Sequence, residues 1–207
     1  MKKISARVLA GTAILVAAGL LVGIAPSDAA VPARTVATAH AKPALKPGSL
    51  SYGFKCWGHV GNCNVAVHAP KGWKFSKLSL HEAKFTDSSN TWMLRVDGGL
   101  SGKSSTATAA NQRVKALHGV RDLKIVSRAH GTVKSTAAGM SNTAYTSLTY
   151  TYTDGARGKR LVSTRFLDIY GNGRHAYIEV TVSGRPQDQA GLNSLMAKAT
   201  QTATLVG

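Results

Sequence analysis

The sequence predicts an α+β domain: an antiparallel β-sheet (meander) packed with two main α-helices. Three observations predict it. Ala144, Thr146, Leu148, Tyr150 and Tyr152 alternate along one run, the period of a strand with one covered face. Residues 161–170 and 175–183 flank Gly171-Asn172-Gly173, a hairpin signal. Within residues 186–204, Leu192, Leu195, Met196, Ala199 and Ala203 form one stripe at helical spacing. Strands, a helix, a meander and a second helix make a layered α+β order.

Taken from the start, Lys2, Lys3 and Arg7 precede an almost uncharged apolar run over 8–25, and small residues follow around Ala29. This is the pattern of a secretory signal peptide over 1–29, with an uncleaved anchor as the other reading. Residues 30–49 are rich in Ala, Pro and Lys without apolar periodicity, and are expected to be a disordered linker. Residues 50–207 then form a single α+β domain, long enough to bury its own core.

Within that domain, Val65 and Val67 mark a short strand that ends at Pro70-Lys71-Gly72-Trp73. Trp73 or Phe75 is expected to plug an edge of the core. Residues 82–86 and 91–97 form a strand pair around the turn Asp87-Ser88-Ser89-Asn90, with Trp92, Leu94 and Val96 on one face. Residues 104–118 read as a helix from Ala107, Ala110, Val114 and Leu117, with Ser104 or Ser105 as cap and Gly119 past its end. Leu123, Ile125 and Thr132-Val133 suggest a strand that bends at Gly131. A two-residue Asn172-Gly173 turn sets Leu167 opposite Ile178 and Ile169 opposite Ala176, with Val180 and Val182 on the same apolar face. Arg165 falls on that face, a poor place for a charge, and is expected near a sheet edge.

Charge is the extreme feature. Lys plus Arg total 26 against 9 Asp plus Glu, a formal +17, and removal of 1–29 takes three bases and one acid to leave +15. So basic an exported domain attracts anionic polymers and surfaces. Cys56 and Cys63, in CWGHVGNC, are expected to form a disulfide closing a short loop; the other reading is a metal held by both thiolates and His59.

The segment Val65-Ala66-Val67-His68-Ala69-Pro70-Lys71-Gly72-Trp73, the Phe85-Thr86-Asp87 step and the meander through Val182 together resemble the Mog1/PsbP-like superfamily, and within it the actinobacterial exported proteins of the LpqN type. The resemblance covers about residues 60–205. It implies a binding or assembly domain rather than an enzyme, with diverse partners. The chain lacks the lipidated cysteine of the LpqN type, which leaves a membrane tether unsupported.

The chain carries no nucleophile elbow, HExxH, P-loop or dinucleotide fingerprint, and its histidines are scattered. No cofactor or metal is expected. Two surfaces are candidates for ligand binding. One is basic: Lys71, Trp73, Lys74 and Lys77, together with Arg157, Lys159 and Arg160 around the 154–158 turn. The other is aromatic: Phe166, Asp168, Tyr170, His175 and Tyr177 on the outward face of the last hairpin, where Asp168 lies across from Tyr177 and Tyr170 across from His175. A simpler reading has one helix covering this second face.

The function expected is a secreted, non-catalytic binding module at the cell envelope or outside the cell, contacting an anionic envelope polymer or a protein partner. Specific nucleic-acid binding has no motif behind it, and no membrane span remains after cleavage. The alternative is a secreted hydrolase whose His175 and Asp168 side chains converge. A third reading, pairing through an exposed sheet edge, predicts dimers.

Overall fold

The computed structural model describes residues 42–206 apart from 138 and 141, so the expected signal peptide lies outside the described residues. Lys42–Gly207 forms one compact unit. Among the described residues its main apolar cluster runs from Leu45 to Ala203, so this piece of chain carries a core.

The strands are β1 (Tyr52–Trp57), β2 (Val65–Pro70), β3 (Lys74–Lys77), β4 (Glu82–Thr86), β5 (Met93–Asp97), β6 (Lys124–Lys134), β7 (Asn142–Asp154), β8 (Gly158–Asp168), β9 (Ile178–Gly184) and β10 (Thr204–Leu205). The helices are α1 (Thr106–Ala116) and α2 (Gln189–Thr202), the latter entered through a 3-10 turn over Pro186–Asp188. Every strand pair is antiparallel. A seven-stranded sheet runs β3-β4-β5-β9-β8-β7-β6, and a three-stranded sheet runs β1-β2-β10. The α+β architecture expected from the alternation is the one observed.

Alternation assigns the two faces of the large sheet. Phe85, Leu94, Val96, Leu167, Ile178, Val180 and Val182 share one face and are fully buried against α2 and β2. The α2 stripe of Leu192, Leu195, Met196 and Ala199 supplies the other half of that core. Each of the larger side chains here contributes about 1.5–3 kcal/mol of burial. On the opposite face α1 packs mainly on β7 and β8. Ser105 caps it by accepting a hydrogen bond from the Thr108 N–H.

The linker boundary is corrected. Residues 42–50 lie along the domain: Leu45 is buried, and its N–H donates to Asp188 Oδ1 at 3.0 Å. Arg185 donates to the carbonyls of Lys42 and Pro43, at 2.6 and 2.8 Å. The segment crosses α2 at Gly191, where an added Cβ would lie 2.3 Å from the Leu45 oxygen. Leu45, the Asp188 carboxylate and the Arg185 guanidinium hold this strap, a device with no periodicity to betray it.

Three local expectations also change. The irregularity in β6 falls between Ile125 and Ser127 rather than at Gly131, whose missing Cβ makes room for the Tyr145 ring. Arg165 sits on β8, an interior strand rather than an edge. Its charge is accommodated by the Tyr145 ring, 4.1 Å away, and by donation to Thr200 Oγ1 at 3.1 Å. Burial pulls its pKa below the usual arginine value. The β8–β9 ladder begins at Leu167 opposite Ile178 as expected, but does not reach Ile169 and Ala176. Ile169 enters the main core and Ala176 the separate cluster under α1.

Candidate functional site

The cross-strand registers order the open face into rows. One row runs Lys74, Thr86, Met93, Ser183, Val162 and Tyr150 across six strands. The next runs Ser76, Lys84, Arg95, Thr181 and Thr164. Because α1 stops short of β4 and β5, the middle of these rows, from Thr86 to Tyr150 and from Lys84 to Thr181, floors a cleft of about 590 Å³. Arg113, Leu117 and Val120 form its α1-side wall, and Asn90 and Arg157 reach it from turns at its end. Tyr150, Val162 and Met93 give it an apolar floor, while Lys84, Arg95, Arg113 and Arg157 converge on it. That combination of apolar floor and few convergent polar groups is typical of a ligand site.

The cations of the cleft are held, not loose. Arg95 donates from Nε to Glu82 Oε1 at 2.6 Å and from Nη1 to Glu179 Oε1 at 2.9 Å. Burial pulls its pKa down, but Glu82, Glu179 and Asp97 outweigh that and raise it. Arg113 reaches across from α1 to the same Glu179, which is almost fully buried. One buried carboxylate thus ties the helix to the sheet and fixes both guanidinium groups at the cleft wall. Arg157 is clamped by Asp154, at 3.0 and 2.6 Å. Lys84 has no ion-pair partner among the described residues.

The same holds across the molecule. Of the nine acidic residues, Asp28 lies outside the described residues and Asp168 accepts backbone N–H groups. Each of the others has a lysine or arginine partner. The carboxylates are committed internally, and the surplus charge facing solvent is positive.

Of the basic residues singled out in the sequence, Arg157 lies in the cleft, and Lys74 shares its face at the edge strand. Lys159 is exposed beyond it. Arg160 is corrected: it is 2% exposed, donating to the Thr91 carbonyl at 2.7 Å, and burial lowers its pKa. It offers no surface to a ligand. Lys71 and Lys74 are exposed, Trp73 packs partly against the core, and Lys77 donates to the Gly58 carbonyl on the opposite side of β3 from the cleft. These candidate basic residues fall in two regions. Arg95 and Arg113 were not singled out at all. The signal that could have found Arg95 is its place between Leu94 and Val96, on the outward side of a strand that also follows the exposed side of Lys84.

The aromatic face is corrected as well. Phe166 is buried under α1 with Ala109, Ala110 and Ala176. Asp168 is buried, and its two oxygens accept the backbone N–H groups of Tyr170 and His175, both at 3.1 Å. That carboxylate folds the 168–175 loop and ends the hairpin early, so Asp168 and Tyr177 do not pair. Tyr170 is exposed and packs edge-on against Tyr177, with His175 beside it. The His175 imidazole turns to the Gly102 carbonyl, 2.8 Å from Nδ1, and not to Asp168. The converging pair required by a hydrolase reading is not formed. Cys56 and Cys63 are joined as a disulfide, so no thiolates remain for a metal with His59.

No family model matches the sequence, and no curated protein is similar to it. Among solved structures the chain is similar to the Ran-binding protein Mog1p of Saccharomyces cerevisiae, with a TM-score of 0.44 and 7% identity over 74% of this chain and 95% of that one. It is similar to LpqN, involved in cell envelope biogenesis of Mycobacterium tuberculosis, with a TM-score of 0.42 and 11% identity over 75% and 92%. A Mog1 point mutant gives a TM-score of 0.44 and 8% identity over 74% and 96%.

Proposed function

We propose that the chain is an exported, non-catalytic binding module working at the cell envelope or outside the cell, and that its site is the open-face cleft, taking a segment of an anionic envelope polymer. The observation that carries this reading is the convergence of Lys84, Arg95, Arg113 and Arg157 on one concavity, where the described carboxylates other than Asp168 have a lysine or arginine partner. Tyr150, Val162 and Met93 suit the less polar part of a polymer unit, and the rigid arginines suit its phosphate or carboxylate groups. The signal-like leader and the disulfide support export, since disulfides persist in oxidising compartments. Among the described residues no helix is long and apolar enough to cross a membrane.

The test is binding of residues 42–207 to purified envelope polymer and to inorganic polyphosphate across a salt series. Affinity should fall linearly on a log–log plot as counterions are displaced. Lys84→Glu should weaken binding by about tenfold or more, since a like charge replaces an attractive one. Salt-independent binding, or equal affinity in the variant, contradicts the cleft as the site. Binding that follows the protein content of an envelope fraction instead of its polymer points to a protein partner.

A further inference from the structure

The large sheet ends at β6, which pairs with β7 alone. Its far edge is bare: residues 124–130 are all exposed, and among the described residues no backbone outside the sheet bonds to 124–134. An edge strand turns the N–H and C=O of every second residue outward, where another extended chain can pair with them. From Ser127 to Lys134 the ladder with β7 runs without a register shift, so this edge is regular over eight residues.

Alternation sorts the side chains of that stretch. Arg128, His130, Thr132 and Lys134 stand opposite Leu148, Thr146, Ala144 and Asn142, on the face that carries α1. Arg128 lies along α1 and donates to Asn111 Oδ1 and to the Ala107 carbonyl, the latter at 3.0 Å. Both acceptors are neutral, so its charge is not balanced there. Lys115, one turn beyond Asn111 in the same row of the helix, is exposed as well. Ser127, Ala129 and Gly131 turn the other way, and their small side chains leave the backbone open to approach. No Asp or Glu occurs between Asp122 and Asp154. Among the described residues Lys115, Lys124, Arg128 and Lys134 have no ion-pair partner.

We propose that β6 takes an extended, acidic segment of a protein partner as a further strand of the sheet, with carboxylates at alternate positions facing Arg128, His130 and Lys134. Backbone pairing supplies affinity, and the row of bases supplies selectivity. Charge complementarity selects this occupant over a second copy. Self-pairing of β6 gathers the bases of both copies: an antiparallel pair centred on Gly131 sets each Arg128 against the other copy's Lys134, and like charges directly opposite destabilise a ladder. A polyanion without peptide groups cannot continue the ladder at all. No residue of β6 lines the cleft, so either reading can fail without the other.

The test is titration of residues 42–207 with a synthetic peptide of alternating glutamate and threonine, long enough to span 127–134, followed by anisotropy and by amide hydrogen exchange. Binding should slow exchange at every second residue over 127–134, the N–H groups that β7 leaves free, by about tenfold or more. The same peptide N-methylated throughout keeps its charge but has no N–H to donate, and should not bind. Arg128→Gln with Lys134→Gln should weaken binding by about tenfold and flatten its salt dependence, while Lys84→Gln should leave it unchanged. Arg128 and Lys134 are exposed, so thermal unfolding that matches the parent separates a lost contact from a lost fold. Absence of peptide binding, equal binding of the N-methylated peptide, or protection that misses β6 overturns the proposal. So does a dimer of the parent chain that protects the same alternate amides without peptide, since the edge then serves a second copy.

Discussion

The two faces of the seven-stranded sheet are written by alternate residues of the same strands, and they do different work. On β5, Leu94 and Val96 point into a core closed by α2 and β2, while Met93 and Arg95 point into an open cleft. On β9, Val180 and Val182 are core, while Thr181 and Ser183 line the cleft. The closed face is covered by a helix stripe and a second sheet; the open face is half covered, because α1 packs mainly on β7 and β8. A short helix over a wide sheet leaves room for a ligand while the other face holds the fold. Substitutions should therefore sort by face.

The largest effect is expected at Asp188, where the strap, Arg185 and the start of α2 meet. Asp188→Ala leaves a guanidinium and backbone donors without their acceptor and should cost about 3–5 kcal/mol in denaturant unfolding. A loss below about 1 kcal/mol would mean that the strap is not part of the closed face. Next, Leu195→Ala in the α2 stripe should cost about 2–5 kcal/mol by opening a cavity, with polyphosphate affinity unchanged under conditions where the protein stays folded. Coupled loss of both would erase the division between faces.

The pH dependence sharpens the same contrast. Burial alone would raise the Asp188 pKa, but Arg185 and the Leu45 and Arg185 N–H groups hold it down to about 2. A depressed carboxylate stabilises the fold above its unfolded value and loses that contribution as pH falls toward the folded one. About 2 kcal/mol should therefore disappear between about pH 4 and pH 2, and Asp188→Asn should flatten that part of the curve. An unchanged acid limb in the variant would assign the loss elsewhere. The smallest effect on stability is expected on the open face: Lys84→Gln should shift unfolding by less than about 0.5 kcal/mol while weakening anion binding. A larger shift would make Lys84 a structural residue.

What the sequence revealed follows the same division. The alternation over β7, the stripe of α2 and the Ser105 cap were legible because a closed face imposes a period on its residues. The strap over 42–50 and the four-residue β3 were not, since neither repeats long enough to show one. Asp168 misled the hairpin reading because its side chain captures two backbone N–H groups, a local bond that no polarity pattern records. Arg157 could be noted as a basic turn residue. Arg95 and Arg113, on a strand and a helix, meet only through Glu179 of β9, a partner set by tertiary pairing. Arg160 looked like surface charge and proved buried, because its long side chain folds back under the Thr91 turn.

The claim that the open face is the binding face is tested most directly by mapping backbone amide shifts of residues 42–207 during a polyphosphate titration at low salt. The result expected is perturbation of Lys84, Thr86, Arg95, Arg113 and Thr181, with Leu192, Leu195 and Ala199 on the closed face unmoved. Shifts centred on Lys71 and Lys74, or spread evenly along the exposed β6 edge with the cleft silent, would contradict it.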